Sequence, residues 1–161
     1  MEKAILFDSG TFLDNRGSFT PLSLELFDKK WLQSNISVND KRNTFRGLHF
    51  QKGEFAQAKL LKVIHGEIID YIVDLREDSE DYMKLQEFRL TRNNALLVPR
   101  GFAHGFITKE KNTIVQYLVD NVYNKESEGT LFWSEVPELY KKLKGKDLIM
   151  SEKDSPNEII H

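Results

Sequence analysis

The pattern that decides the fold lies in the segment Ile69-Asp70-Tyr71-Ile72-Val73-Asp74-Leu75. Its apolar side chains at positions 69, 71, 73 and 75 share one side of an extended chain, and Asp70 and Asp74 punctuate the other. Successive side chains of a β-strand point to opposite faces, so this alternation predicts a strand at the centre of the chain.

Four further short segments have strand patterns: Lys59 to Ile64, Gln86 to Leu90, Ala95 to Val98 and Thr113 to Val119. Turn formers separate them, at His65-Gly66, Arg92-Asn93-Asn94 and Pro99-Arg100-Gly101. Short strands at regular spacing favour a sandwich or barrel. Helical spacing is restricted to Ser23 to Leu32 and Val136 to Leu143, which predicts short accessory helices. Because no repeat or linker divides the chain, residues 1–161 are expected to form one domain.

Composition excludes several classes of protein. The 161 residues carry 23 Lys and Arg against 25 Asp and Glu, so the basic excess of a nucleic-acid-binding surface is missing. The absence of Cys excludes disulfides, thiolate zinc sites and cysteine nucleophiles, and a cytoplasmic location fits best. No apolar run approaches the roughly 18 residues of a membrane span, so neither export nor a membrane anchor is expected.

Two of the four histidines lie in unusual surroundings. His49 and His104 each follow an Arg-Gly step, at Arg46-Gly47 and at Arg100-Gly101. Glycine allows close approach of the backbone to a ligand, and imidazole can exchange a proton near neutral pH. Taken alone, a histidine between apolar residues is more often an ordinary core residue than a catalyst, so both interpretations stay open at this point.

A metal cage on strands usually needs two histidines one residue apart, so that both point to one face. The residues at that spacing are Gly47 and Gln51 around His49, and two phenylalanines around His104. The spacing therefore predicts a protein without a metal ion.

Seven motifs together resemble those of the dTDP-4-dehydrorhamnose 3,5-epimerases, in the order of that family, from about Phe12 to Pro156. They are Phe12 to Phe19, Gln33 to Ser37, Arg46 to Gln51, Ala56 to Leu60, Asp74 to Arg76, Pro99 to Phe106 and Ser151 to Asp154. The resemblance implies a cupin-type jelly roll (double-stranded β-helix), a homodimer, and neither metal nor cofactor. It also places the protein in the assembly of cell-surface polysaccharide.

The family inverts the carbons beside the 4-keto group of a nucleotide-linked 6-deoxyhexose. That chemistry needs a base, a cation near the enolate oxygen, and an acid on the opposite face of the sugar. By motif position, the resemblance implies His49 as the base, Asp154 as the carboxylate that orients it, and Lys59 as the cation. Tyr117 is the implied acid, with Tyr123 as the alternative.

The resemblance assigns substrate binding to six side chains: Arg16, Phe19, Gln33, Asn35, Arg46 and His104. It implies that the two arginines bind the diphosphate and that Phe19 stacks on the base, the Arg16 to Phe19 segment serving the neighbouring subunit. Asp70 is expected either to hold Lys59 or His104 or to be an exposed strand carboxylate.

Two departures from the family pattern leave the substrate open. Pro21 stands where the family often has Glu, and the stretch between Asn35 and Arg46 has one extra residue. Thymidine is the expected nucleoside. The alternatives are an enzyme that inverts only C3 or C5, a ketoisomerase, an enzyme for another nucleotide sugar or a heptose, and a non-catalytic module that binds a sugar nucleotide.

Overall fold

The structure is a computed structural model that describes residues 1–156. Twelve strands form in these residues: β1 (Ile5–Asp8), β2 (Phe12–Asp14), β3 (Gly17–Phe19), β4 (Gln33–Asn39), β5 (Phe45–Gln51), β6 (Lys59–His65), β7 (Ile68–Asp74), β8 (Leu85–Leu90), β9 (Asn94–Val98), β10 (Phe102–Thr108), β11 (Thr113–Val119) and β12 (Glu128–Thr130). They make two five-stranded antiparallel sheets, called here the first sheet (β1-β9-β6-β11-β4) and the second sheet (β12-β5-β10-β7-β8), and a β2-β3 hairpin.

The apolar core lies between these two sheets. Leu61 and Val115 of the first sheet pack there with Ile72 and Phe106 of the second sheet. The strand predicted around residue 71 is β7, and it is buried on both faces: Ile72 contacts this core, whereas Tyr71 packs against the outer cluster that holds Leu139. Asp70 has no solvent exposure, so its carboxylate is not an exposed strand side chain.

All five predicted strands are confirmed, each within one residue at either end, as β6, β7, β8, β9 and β11. One of the two predicted helices is also confirmed. The α-helix α1 spans Pro137–Leu143 and buries Leu139 and Leu143, which are one turn apart on one face. None of the described helices is long and apolar enough to cross a membrane.

The prediction of a helix over Ser23 to Leu32 is wrong. Only a single 3-10 turn forms there, at Leu24–Leu26, and the chain becomes extended at Phe27. Phe27 and Trp31 pack on the outer face of the first sheet, with Leu60 and Leu97 among their neighbours. The apolar residues that are spaced as in a helix are therefore buried against the sheet without forming a helix, since tertiary packing overrides local helix propensity.

Candidate active site

A cavity of about 270 Å³ brings together side chains from both sheets and from the 3-10 turn Glu152–Asp154. Ten residues line it: Ser37, Arg46, His49, Lys59, His104, Phe106, Tyr117, Ser151, Lys153 and Asp154. A second pocket of about 180 Å³ shares His49, Lys59 and Tyr117 with it, so the two form one continuous site.

His49 and Asp154 form a hydrogen-bonded pair in this cavity. Nε2 of His49 lies 2.5 Å from Oδ1 of Asp154, and Oδ2 of Asp154 accepts the backbone N–H of Gly47 at 3.3 Å. An ionised carboxylate only accepts hydrogen bonds, so Nε2 is the donor and Nδ1 carries the free lone pair. The part-exposed imidazole can therefore take a proton at Nδ1, with the buried Asp154 carboxylate stabilising the resulting charge.

His104 and Asp70 form a second pair, deeper in the barrel. His104 lies opposite His49 on the neighbouring strand, and its Nε2 is 2.8 Å from Oδ2 of Asp70. Burial lowers the pKa of the His104 imidazole and raises the pKa of the Asp70 carboxyl, although the two groups attract each other. The contact meets the expectation that Asp70 holds either Lys59 or His104: it is His104 that Asp70 bonds.

Within residues 1–156, no group of three histidine, cysteine or acidic side chains is placed to share a metal ion. The imidazoles of His49 and His104 instead each form a hydrogen bond through Nε2 to a different carboxylate. His49 pairs with Asp154, and His104 pairs with Asp70. The absence of a metal stays a prediction.

Lys59 supplies a cation to both pockets. Burial lowers the pKa of its ammonium to about 8, and the negative charges of Asp70 and Glu128 limit that drop. Within residues 1–156, no side chain or backbone group hydrogen-bonds the ammonium of Lys59. Its ammonium is therefore free to bind an oxygen atom of a ligand.

Tyr117 faces the same cavity from the first sheet. It lies on β11, opposite Asn35 of β4 and Leu61 of β6. Burial raises the pKa of its phenol above the ordinary value, and the described chain offers its hydroxyl no hydrogen-bond partner. Because His49 belongs to the second sheet and Tyr117 to the first, these two groups reach the cavity from opposite walls.

Tyr123 lies at the rim, not inside the main cavity. It is 58% exposed and lines the second pocket, where its hydroxyl donates to Oε2 of Glu128 at 3.0 Å. The ammonium of Lys153 pairs with the other oxygen of Glu128. Sequence reasoning did not single out Glu128 or Lys153. Lys153 could have been found from its place beside Asp154 in the last motif, but Glu128 lies in no recognised motif.

The other predicted binding residues divide into two groups. Arg46 and His104 line the main cavity, and Gln33 and Asn35 line the second pocket, where Nε2 of Gln33 donates to Oδ1 of Asn35 at 2.7 Å. The other two predicted binding residues, Arg16 and Phe19, lie outside both pockets, on the β2-β3 hairpin.

On that hairpin, the guanidinium of Arg16 is exposed and pairs with the carboxylate of Asp14. The ring of Phe19 is 67% exposed. In the part of one copy that the structure describes, neither side chain lines either pocket.

The family model for dTDP-4-dehydrorhamnose 3,5-epimerase matches residues 1–160. The chain belongs to this family. Its relatives include the dTDP-4-dehydrorhamnose 3,5-epimerase of Sinorhizobium fredii, which is 36% identical over 89% of this chain and 78% of the relative. The enzyme of Escherichia coli K12 is 35% identical over 84% of this chain and 77% of its own. The predictions of the family and of its isomerase class are confirmed.

Solved structures of this family confirm the predicted jelly roll. The dTDP-4-dehydrorhamnose 3,5-epimerase of Bacillus anthracis, which has TDP and PPi bound, superposes with a TM-score of 0.87 at 38% identity, covering 94% of this chain and 90% of its own. The epimerase of Legionella pneumophila, in complex with dTDP-4-keto-L-rhamnose, gives a TM-score of 0.85 at 26% identity over 94% and 84%.

Proposed function

We propose that this member of the epimerase family inverts C3 and C5 of a nucleotide-linked 4-keto-6-deoxyhexose, of the dTDP-4-dehydro-6-deoxyglucose type, without a cofactor. The observation that carries the proposal is the placement of His49 and Tyr117 on facing walls of one cavity that also contains Lys59. A 4-keto sugar bound between these walls can lose the proton beside its ketone on one face, and the planar enolate that results can gain a proton on the other.

Each inversion then takes two proton transfers. Nδ1 of His49 removes the proton from the carbon beside the ketone, and the C–H electron pair moves into the enolate, whose oxygen accepts a hydrogen bond from the Lys59 ammonium. The Tyr117 hydroxyl gives its proton to the opposite face of the same carbon. Exchange with solvent returns a proton to Tyr117 and removes one from His49, and Asp154 stabilises the intermediate imidazolium.

Substrate binding uses the positive charge of the main cavity and the amides of the second pocket. Arg46 and Lys153 suit a diphosphate, because guanidinium and ammonium groups bind phosphate oxygens. Gln33 and Asn35 can read the polar edges of the nucleoside and sugar. The TDP and PPi bound to the Bacillus anthracis relative support this assignment.

We further propose a cytoplasmic homodimer, in which the Arg16 to Phe19 segment completes the site of the neighbouring subunit. Two features support the homodimer. The β2-β3 hairpin exposes apolar side chains, among them Phe19. Strand β4 is an edge of the first sheet with no charged residue, and its Ile36 and Val38 are 66% and 57% exposed. Unprotected edges of this kind pair readily with another chain.

The proposed reaction is tested by incubating the protein with dTDP-4-dehydro-6-deoxyglucose in deuterated water and following C3 and C5 by proton NMR. We expect deuterium at both carbons and its absence with His49→Ala. Deuterium at one carbon would identify a single-centre enzyme. No exchange with this substrate would overturn the assignment and direct the assay to GDP- and CDP-linked 4-keto sugars.

Subunit complementation tests the shared site. Arg16→Ala, expected to be weakly active at low substrate concentration, and His49→Ala, expected to be inactive, are mixed in equal amounts, unfolded and refolded together. A hybrid dimer then contains one site with both His49 and the Arg16 of the other subunit, so activity should return to about a quarter of the wild-type level. No recovery, with dimers present by light scattering, would place Arg16 outside the partner's site.

A further inference from the structure

Asn39 is a buried polar residue that no part of the proposed mechanism uses. It ends strand β4 and is 2% exposed. Its Nδ2 donates to the backbone oxygen of Thr113 at 3.0 Å and lies 3.3 Å from Oγ of Ser37. Its Oδ1 accepts the Nε–H of Arg46 at 2.8 Å. The polar atoms of a buried amide are normally hydrogen-bonded. The oxygen of this amide accepts its hydrogen bond from a cationic side chain of the cavity.

Arg46 reaches that cavity with most of its hydrogen-bonding capacity unused. A guanidinium has five N–H donors in one plane. Within residues 1–156 only the Nε–H has a partner, Asn39, and no carboxylate pairs with the group. Because the guanidinium is planar, a hydrogen bond to Nε also restricts the plane in which the four remaining N–H groups lie.

We propose that Asn39 is a positioning residue, which holds the Arg46 guanidinium ready for bidentate binding of the substrate's diphosphate. The inference rests on the proposed function, because it takes the cavity to bind a nucleoside diphosphate sugar. Asn39 itself does not contact the ligand, since it is buried behind Arg46 and lines neither pocket. Its effect is to remove side-chain freedom from Arg46 before binding, so that less is lost when the ligand arrives.

The neutral amide is suited to this role. A carboxylate at position 39 would also accept from Nε, but its negative charge would neutralise the guanidinium and compete with the phosphates. An aliphatic side chain would leave the charge of the Arg46 guanidinium intact but would no longer fix its orientation. The amide oxygen fixes Arg46 and leaves its full positive charge for the ligand.

A double-mutant cycle separates this role from a general effect on the strand. Binding of TDP and of inorganic pyrophosphate is measured by calorimetry for the wild type, Asn39→Leu, Arg46→Lys and the double variant. We expect Asn39→Leu to weaken binding of TDP about 10-fold. It should raise KM by a similar factor while kcat changes less than about twofold. In the Arg46→Lys background the same substitution should change affinity less than about twofold, because the group that it positions is gone.

Equal losses in both backgrounds, or a fall in kcat with KM unchanged, would overturn the inference. Because Leu at a buried polar position could impair folding, Asn39→Thr provides a second variant: threonine suits a strand, but its side chain is too short to reach Nε of Arg46. The matched control is Glu67→Leu, which releases the Arg89 guanidinium on edge strand β8 and should leave TDP binding unchanged.

The cycle also separates the role of Asn39 from the proposed reaction. Non-additive binding by a protein that fails to epimerise would keep the role of Asn39 and reject the proposed reaction. Additive losses in an active epimerase would reject the role of Asn39 and keep the reaction.

Discussion

The imidazole of His49 and the carboxylate of Asp154 lie 2.5 Å apart, although 105 positions separate them in the chain. The contact forms because the 3-10 turn Glu152–Asp154 packs against β5, where the carboxylate also accepts the N–H of Gly47. Two hydrogen bonds from one strand therefore hold Asp154 in place, and the base of the proposed reaction depends on a segment near the end of the chain.

Asp154→Asn should lower kcat by about 100-fold or more, because the amide cannot stabilise the imidazolium that forms on His49. The formation of inverted sugar, followed by proton NMR, measures this. The matched control is Glu152→Gln, which removes one carboxylate charge from the same turn at an exposed position and should keep the wild-type rate. Equal rates for Asp154→Asn and the control would remove the carboxylate from the mechanism.

Tyr117→Phe should separate proton removal from inversion. We expect exchange of the C3 or C5 proton with deuterated solvent to continue, because His49 still acts as the base. Inverted product should fail to accumulate, because the acid on the facing wall is missing. Deuterium exchange and product are measured in the same NMR experiment.

Tyr123→Phe serves as the comparison. Its hydroxyl donates to Glu128 at the rim, so its loss should chiefly raise KM and leave inversion intact. If Tyr123→Phe blocks inversion while Tyr117→Phe does not, the roles of the two tyrosines are reversed.

The pH dependence of kcat/KM should show a falling limb near pH 8. Burial lowers the pKa of the Lys59 ammonium to about 8, so the group is charged below that pH and becomes neutral above it. The enolate needs the charged form, and the rate therefore falls as the pH rises through about 8. The pKa of Tyr117 is raised, so loss of its proton belongs to a higher pH.

Lys59→Arg tests the assignment of that limb. A guanidinium stays charged throughout this range, so the falling limb should move upward by more than one pH unit even where the larger group lowers the absolute rate. A limb that stays near pH 8 in this variant would belong to another group.

Gly129→Ala should destabilise the protein by about 1–3 kcal/mol, because the Phe50 ring must move from its packed position to admit the added methyl group. A Cβ at this position would lie 2.4 Å from Cζ of Phe50, whose ring lines the second pocket. Thermal and denaturant unfolding measure the loss. Gly10→Ala is the control, since its Cβ would meet nothing closer than 3.9 Å, and it should unfold like the wild type.

Much of the fold could be predicted from alternation of apolar residues, and two of the strands that were missed share one physical reason. The confirmed strands β6, β7, β8, β9 and β11 bury apolar side chains in a regular order. Strands β5 and β10 were not predicted as strands, because glycines, an arginine and the two histidines interrupt their apolar pattern. The interrupting residues lie at the candidate active site, where side chains are chosen for binding a ligand and not for packing in an apolar core.

Residue type and order were enough to predict the β architecture and the family, and the resemblance to that family implied the candidate base, cation, acid and carboxylate. Such features follow from local side-chain periodicity and from motifs in which the informative residues are neighbours in the chain. The resemblance already implied that Asp154 orients His49, and it left Asp70 between Lys59 and His104. The tertiary structure gave the geometry of the first pair, made His104 the partner of Asp70, and brought Asn39 to Arg46. These contacts depend on how strands pair and how the two sheets enclose the cavity, so their distances are properties of the whole fold and are not encoded in any short stretch of sequence.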